Sequence, residues 1–197
     1  MGSASPPRTA PASAPGMAPE GFASGVVLIT GIQAAGKSTV AQLLAERLPN
    51  SVHLRGDLFR RMIVNGRADM TPEPTEAATG QLRLRHRLTA QTCEQYTAAG
   101  FTVIAQDVVL GEHLSDLAHE IRTRPLYVVV LAPGADTVAD REAARDKDSY
   151  DEWTVRALDA VLRERTPRIG LWLDTSGQTA EDTVEEILRR APEEAGL

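Results

Sequence analysis

Gly31, Gly36, Lys37, Ser38 and Thr39 stand at the spacing G-x-x-x-x-G-K-S/T, in the run Gly31-Ile32-Gln33-Ala34-Ala35-Gly36-Lys37-Ser38-Thr39. These residue types at this spacing suit one task, holding a chain of phosphates. The glycines permit backbone torsions that turn successive N–H groups toward an anion. A helix N-terminus directly after the loop adds positive partial charge beneath it. Lys37 has the length to reach β and γ phosphates, Ser38 offers a hydroxyl to Mg²⁺, and Thr39 is placed to assist at the α-phosphate. The competing reading is a glycine-rich turn that only joins a strand to a helix, and the complete motif argues against it. Lysine usage agrees. Lys37 and Lys147 are the only lysines, and arginine supplies the remaining basic residues. A compact ammonium on a flexible stem is kept at the phosphate loop.

The surrounding elements fit that task. Val26-Val27-Leu28-Ile29 is an apolar run without alternation, as in a central strand buried on both faces. It leads straight into the loop, and Val40, Leu43, Leu44 and Leu48 follow at helical spacing. Further strands are predicted at Val52–Leu54, Phe101–Ala105, Leu126–Leu131 and Leu171–Leu173. Helices are predicted from Leu58 to about Asn65, over 76–99, from Ala135 to Lys147 and through Val155, Leu158, Val161 and Leu162. A last helix is predicted to open at Thr179 with acids in its first turn and to close at Arg189 and Arg190, whose charges suit its C-terminal end. Short apolar runs alternating with helical patterns predict an α/β fold, a parallel sheet covered by helices. Residues 1–22 are Ala, Pro, Ser and Gly with few large apolar side chains, and they read as a disordered tail. Residues 23–197 read as one domain.

Composition bounds the function. The net charge of −6 disfavours nucleic acid and anionic membrane as partners. No run approaches the about 18 apolar residues of a membrane span, and the N-terminus lacks a signal peptide's apolar core, so the expected location is cytoplasmic. Cys93 is the single cysteine, which excludes an intrachain disulfide, and in a helix it reads as a buried small hydrophobe. His53, His86, His113 and His119 lack metal-ligand spacing. With Lys147 in Asp146-Lys147-Asp148, the Asn/Thr-Lys-x-Asp guanine motif of GTPases is missing.

The motif and the order of elements resemble the small P-loop kinases, namely adenylate kinase, gluconate kinase and the chloramphenicol phosphotransferase-like (AAA-33 type) group, from about Gly25 to Arg190. The resemblance implies a three-layer fold, a five-stranded parallel sheet with helices on both faces and a small lid over residues 135–150. It implies ATP and Mg²⁺ as cofactors, with ATP held by Gly31, Gln33, Ala34, Ala35, Gly36, Lys37, Ser38 and Thr39. In this group an acid after the second strand faces the acceptor hydroxyl, which points to Asp57 in Gly56-Asp57-Leu58-Phe59-Arg60-Arg61 as general base; a plain helix N-cap is the alternative. The same stretch resembles adenylate kinase, where an arginine meets the acceptor's phosphate, so Arg60 and Arg61 join Asp57 as substrate-binding candidates. Asp107, ending the third strand, resembles an acid that holds Mg²⁺ with Ser38, or else it orients the acceptor, or it only begins a loop. Arg141 and Arg145 share a helix face and resemble lid arginines that neutralise the transferring phosphate; a solvated helix face is the alternative. The loop Asp174-Thr175-Ser176-Gly177 resembles the one beside adenine in this superfamily, which implies Thr175 and Ser176 as ATP-binding residues; an ordinary αβ loop is the alternative.

Residues 58–99 are then the acceptor region, in which Leu58, Met62 and Val64 are expected to pack; its arginines, Arg60, Arg61, Arg67, Arg83, Arg85 and Arg87, suggest a held anion, with surface arginine on a helix as the simpler explanation for most. The function implied is transfer of the γ-phosphate of ATP to a hydroxyl of a small molecule, an antibiotic or sugar-like metabolite. A nucleoside monophosphate kinase, a toxin acting on nucleotide-sugars and an acceptor-free NTPase switch are the other readings. Small kinases occur as monomers and as symmetric assemblies, and the sequence favours neither.

Overall fold

The computed structural model describes residues 22–71, 73–143 and 152–197. Residues 1–21 of the expected tail lie outside these, as do Arg145, Lys147 and most of the second half of the expected lid. Phe22 closes the tail by composition, yet it is buried in the core and its ring lies 4.9 Å from that of Tyr127.

Five strands form one parallel sheet: β1 (Val26–Gly31), β2 (Ser51–Arg55), β3 (Thr102–Gln106), β4 (Leu126–Leu131) and β5 (Leu171–Leu173). Their order is β2-β3-β1-β4-β5. Every residue of β1 and β4 is buried, which is why both read as unbroken apolar runs. The helices are α1 (Lys37–Arg47), α2 (Asp57–Arg61), α3 (Glu76–Ala98), α4 (Glu112–Glu120), α5 (Ala135–Ala143), α6 (Glu152–Ala160) and α7 (Ala180–Glu194), with a π-helical turn at Val161–Arg165 continuing α6. α1 packs on α7, and α3 on α4, so the sheet is sandwiched between helices. The parallel connections bring the C-terminal ends of β1, β2 and β3 together at one edge, where ligands gather in such sheets.

One polar residue inside β1 helps to fix that edge. The Thr30 hydroxyl donates to Val109 O at 2.8 Å and accepts from Val109 N–H at 3.0 Å, all of it buried. The segment after β3, which carries Asp107, is thereby stitched to the strand that carries the phosphate loop.

Several elements differ from expectation. α2 stops at Arg61, well before Asn65. Its expected apolar face has nothing to pack on: Leu58 is 46%, Met62 72% and Val64 88% exposed, so they do not pack as anticipated. α4 was not anticipated, although Leu114, Leu117 and Ala118 are its buried stripe at helical spacing. β3 lies one residue later than expected, and α7 continues past Arg190 to Glu194. Arg190 pairs along the helix with Glu186 (2.6 Å) and Glu194 (2.5 Å), so its charge is held by side chains and does not end the helix.

Candidate active site

The N-terminus of α1 is prepared for an anion from outside. α2, α3, α4, α5 and α7 each carry an acid in the first turn, whereas α1 carries none and has no side-chain cap. The first-turn amides of a helix have no intrahelical acceptor, so this end is left to a ligand. Its cap residue, Gly36, sits at φ 92°, ψ 3°, a conformation that favours glycine. Ala34 holds φ 56° despite its side chain, a strained position of the kind found in phosphate-binding loops. Lys37 is buried, and its Nζ donates to Ile32 O at 2.7 Å within the loop.

A cavity of about 310 Å³ opens beside this loop, with Ala34, Gly36, Thr39, Arg141, Thr175 and Thr183 in its wall. Arg141 reaches across from α5, and its Nη2 donates to Thr175 O at 3.0 Å. The Thr175 hydroxyl is buried without a hydrogen-bond partner. It is a polar atom at the cavity wall with its hydrogen-bonding capacity unused. Ala35 also lines the cavity, and Ser38 and Gln33 are half-buried. Ser176 does not line the cavity. Its hydroxyl accepts from Gly134 N–H at 2.7 Å and donates to the Asp174 carboxylate at 2.5 Å, so it ties the loop after β5 to the end of β4.

The other side of the cleft is built from charge. Asp107 is 5% exposed. Its Oδ1 accepts from Val108 N–H at 2.8 Å, and Arg85 Nε lies 2.9 Å from its Oδ2 without alignment for a hydrogen bond. Burial pushes the Asp107 carboxyl above the ordinary carboxylate range, against the pull of Arg85, the Val108 amide and Lys37. Asp57 acts in the same upward direction, so Lys37, Asp57 and Asp107 share one electrostatic neighbourhood. Gly56 makes this possible. A Cβ there would lie 2.3 Å from Asp107 Oδ2, so only a residue without a side chain lets β2 and β3 end this close.

Asp57 is the first residue of α2, and the cap is Gly56, so the N-cap alternative for Asp57 does not hold. Its Oδ2 meets Arg61 Nη2 at 2.7 Å and its Oδ1 faces Arg55 Nε at 3.6 Å. That Oδ1 is buried without a hydrogen-bond partner. Arg60 turns away and pairs with Asp69.

The model of a family described as an AAA domain matches residues 26–168. The chain belongs to this family. Among curated proteins, the adenylate kinase of Thermobifida fusca is 27% identical, over 84% of this chain and 95% of that protein. Among solved structures, a Janibacter sugar kinase matches with a TM-score of 0.64 at 19% identity, over 85% of this chain and 94% of its own. A Sinorhizobium meliloti gluconokinase gives 0.63 at 17%, over 84% and 90%. A tunicamycin resistance protein from Deinococcus radiodurans gives 0.61 at 19%, over 85% and 95%. The fold is that of the P-loop kinases, and the chain is a P-loop kinase of the AAA-33 type. No helix among the described residues is long and apolar enough to cross a membrane.

The structure brings Gly56 and Arg85 against Asp107, whereas the sequence named Gly56 only within the Asp57 stretch and Arg85 only among the arginines of 58–99. A signal for Arg85 existed. It lies three residues after Leu82 and four before Thr89, both on the buried stripe of α3, which puts it at the edge of that stripe. Gly56 had none, because its role depends on a side chain 51 positions away in the sequence.

Proposed function

We propose that the protein transfers the γ-phosphoryl group of ATP to a hydroxyl of a small molecule. The observation that carries this reading is the two-sided cleft: an anion-ready helix end with Lys37 on one side, and on the other Asp107, which feels the charge of Lys37, with Asp57 beside it. The triphosphate binds along Gly31–Thr39 with the base and ribose in the cavity by Thr175. A hydroxyl and a carboxylate are hard oxygen donors, so Ser38 and Asp107 fit a magnesium ion, which would neutralise phosphate charge when bound.

Asp57 orients the acceptor hydroxyl and takes its proton as the oxygen attacks the γ-phosphorus. The bond from that phosphorus to the bridging oxygen breaks, and ADP leaves. Lys37 and Arg141 offset the charge that spreads over the moving phosphoryl group. Arg145, outside the described residues, is a second lid candidate. Arg61 holds Asp57 in place.

Kinship with an adenylate kinase keeps a nucleoside monophosphate in view as acceptor, with Arg60 on its phosphate; the Arg60–Asp69 pair speaks against that. The test is ADP release from ATP or GTP with Mg²⁺, with and without a panel of hydroxylated compounds. Acceptor-dependent release and a product heavier by roughly 80 Da, one phosphoryl group, are expected. Turnover indifferent to every acceptor would make the protein an NTPase. Asp57→Asn is expected to bind ATP normally and to lose transfer by about 10²-fold or more; undiminished transfer would remove Asp57 as base.

A further inference from the structure

A second cavity, of about 320 Å³, lies between α3 and α4 and shares no lining residue with the one beside the phosphate loop. Its size falls in the range of small-molecule sites. α3 supplies Arg83, His86 and Arg87 to its wall, and α4 supplies His113, Asp116, His119 and Glu120. Helix geometry sets it apart from the kinase cleft. At about 3.6 residues per turn, the buried stripe of α3 runs through Leu82, His86, Ala90 and Cys93. Arg85 lies on one flank of that stripe and faces Asp107. Arg83 and Arg87, four apart, share the other flank.

The cations of this cavity are uncommitted. Arg60, Arg61, Arg67 and Arg85 each pair with an acid. Among the described residues neither Arg83 nor Arg87 forms an ion pair. Between them in sequence, His86 is 3% exposed, and its Nε2 is buried without a hydrogen-bond partner. Native interiors rarely leave such an atom unpaired. The histidines do not make a metal centre: among the described residues no three ligating side chains are grouped to hold a metal ion, and two guanidiniums repel one. Two guanidiniums on one helix face suit a phosphate dianion. The α4 wall has the opposite character. Asp116 lies 3.8 Å from His113 Nδ1, and Asp116 and Glu120 accept hydrogen bonds while repelling a second anion.

We propose that the α3–α4 cavity is a second ligand site and takes a small phosphate monoester. The phosphate sits at Arg83 and Arg87 with His86 Nε2 as a further contact, and hydroxyl or amino groups of the same molecule meet Asp116 and Glu120. None of these residues belongs to the proposed catalytic cleft, so the inference stands apart from the kinase reading.

The test is titration of the full chain with glycerol 3-phosphate, followed by the NMR signals of the histidine rings, with inorganic phosphate and glycerol as half-ligands. The His86, His113 and His119 signals are expected to shift to saturation, while that of His53, which lies on β2 and bonds to Gln42, stays. Glycerol 3-phosphate is expected to bind about tenfold or more tightly than inorganic phosphate, and glycerol more weakly than either. Arg83→Gln and Arg87→Gln change exposed side chains, so the fold is retained, and each is expected to weaken the ester by about tenfold. Lys37→Ala controls for phosphate held at the Gly31–Thr39 loop and is expected to leave these shifts unchanged. Shifts that vanish in Lys37→Ala, or that neither arginine variant weakens, would place the ester elsewhere and overturn the proposal. So would an absence of saturable shifts, or an affinity no better than that of inorganic phosphate. Each of these results leaves the kinase reading to its own test by ADP release.

Discussion

On the proposed donor side of the cleft the structure offers a ligand mostly main chain: the first turn of α1, the torsions of Ala34 and Gly36, and a buried lysine folded back on its own loop. On the proposed acceptor side it offers side chains from α2, α3 and the end of β3, several of them exposed and most tied into ion pairs. Phosphate is the same in every nucleotide, so backbone amides at fixed spacing suffice to grip it. An acceptor is particular, so its recognition is assigned to side chains that change without disturbing the sheet.

The largest expected effect breaks the donor side alone. Lys37→Ala removes the ammonium from a nearly water-free site, and turnover is expected to fall by about 10³-fold. Acceptor affinity, measured by equilibrium binding, is expected to hold. Equal losses on both sides would show that Lys37 supports the whole cleft and is not specific to phosphate.

The next effect belongs to the acceptor side. His86 lies in the buried stripe of α3, one residue from Arg85. Burial, with Arg85 and His113 nearby, lowers its pKa from 6.5 to about 4. The folded protein therefore resists protonating His86, while the unfolded chain accepts the proton near 6.5. The stability this provides is complete above pH 6.5 and is lost as pH falls toward 4, in all about 3 kcal/mol. Asp107, with its carboxyl shifted upward, works in the opposite direction and cannot cause an acid loss in this window. Denaturant midpoints measured between pH 7 and 4 are expected to fall, and to fall less steeply in His86→Leu, where His53, also lowered by burial, keeps the remaining slope. An unchanged slope in that variant would locate the acid sensitivity elsewhere.

This asymmetry also explains what was legible in the sequence. The phosphate loop could be read because its chemistry is local: nine consecutive residues between a strand and a helix. β1 and β4 could be read because burial on both faces leaves no polar alternation. Asp57 and Asp107 could be nominated because each ends a strand at the ligand edge. Their partners could not. Arg85 joins Asp107 only through the packing of α3 on β3, and Gly56 matters only because Asp107 lies against it. The fate of Leu58, Met62 and Val64 was misread for the same reason, since helical spacing predicts a face but not whether anything covers it.

Gly56→Ala probes the seam between the two sides. The backbone at Gly56, φ −62° and ψ −29°, suits any residue, so the effect arises purely from the added methyl against Asp107. Overpacking there is expected to destabilise by about 2 kcal/mol. Displacing Asp107 is expected to lower transfer more than ATP binding, checked by kcat against ATP affinity in the same preparation. Gly80→Ala is the matched control: nothing stands within 4 Å of its Cβ position, and a gain of about 0.5–1 kcal/mol is expected in the helix.

The smallest effect returns to the donor wall. Thr179 caps α7 in a complete capping box: its hydroxyl accepts from Asp182 N–H at 3.1 Å, and the Asp182 carboxylate accepts from Thr179 N–H at 3.1 Å. Thr179 also lines the cavity beside Thr175. Thr179→Ala is expected to cost about 1 kcal/mol of stability, from the lost cap, and to weaken ATP slightly through a looser wall. Acceptor KM is expected not to move, because α7 packs on α1, β4 and β5. A shift in acceptor KM as large as the shift in ATP KM would mean that the two sides are coupled through the sheet, and that main-chain and side-chain recognition are not separable halves of this cleft.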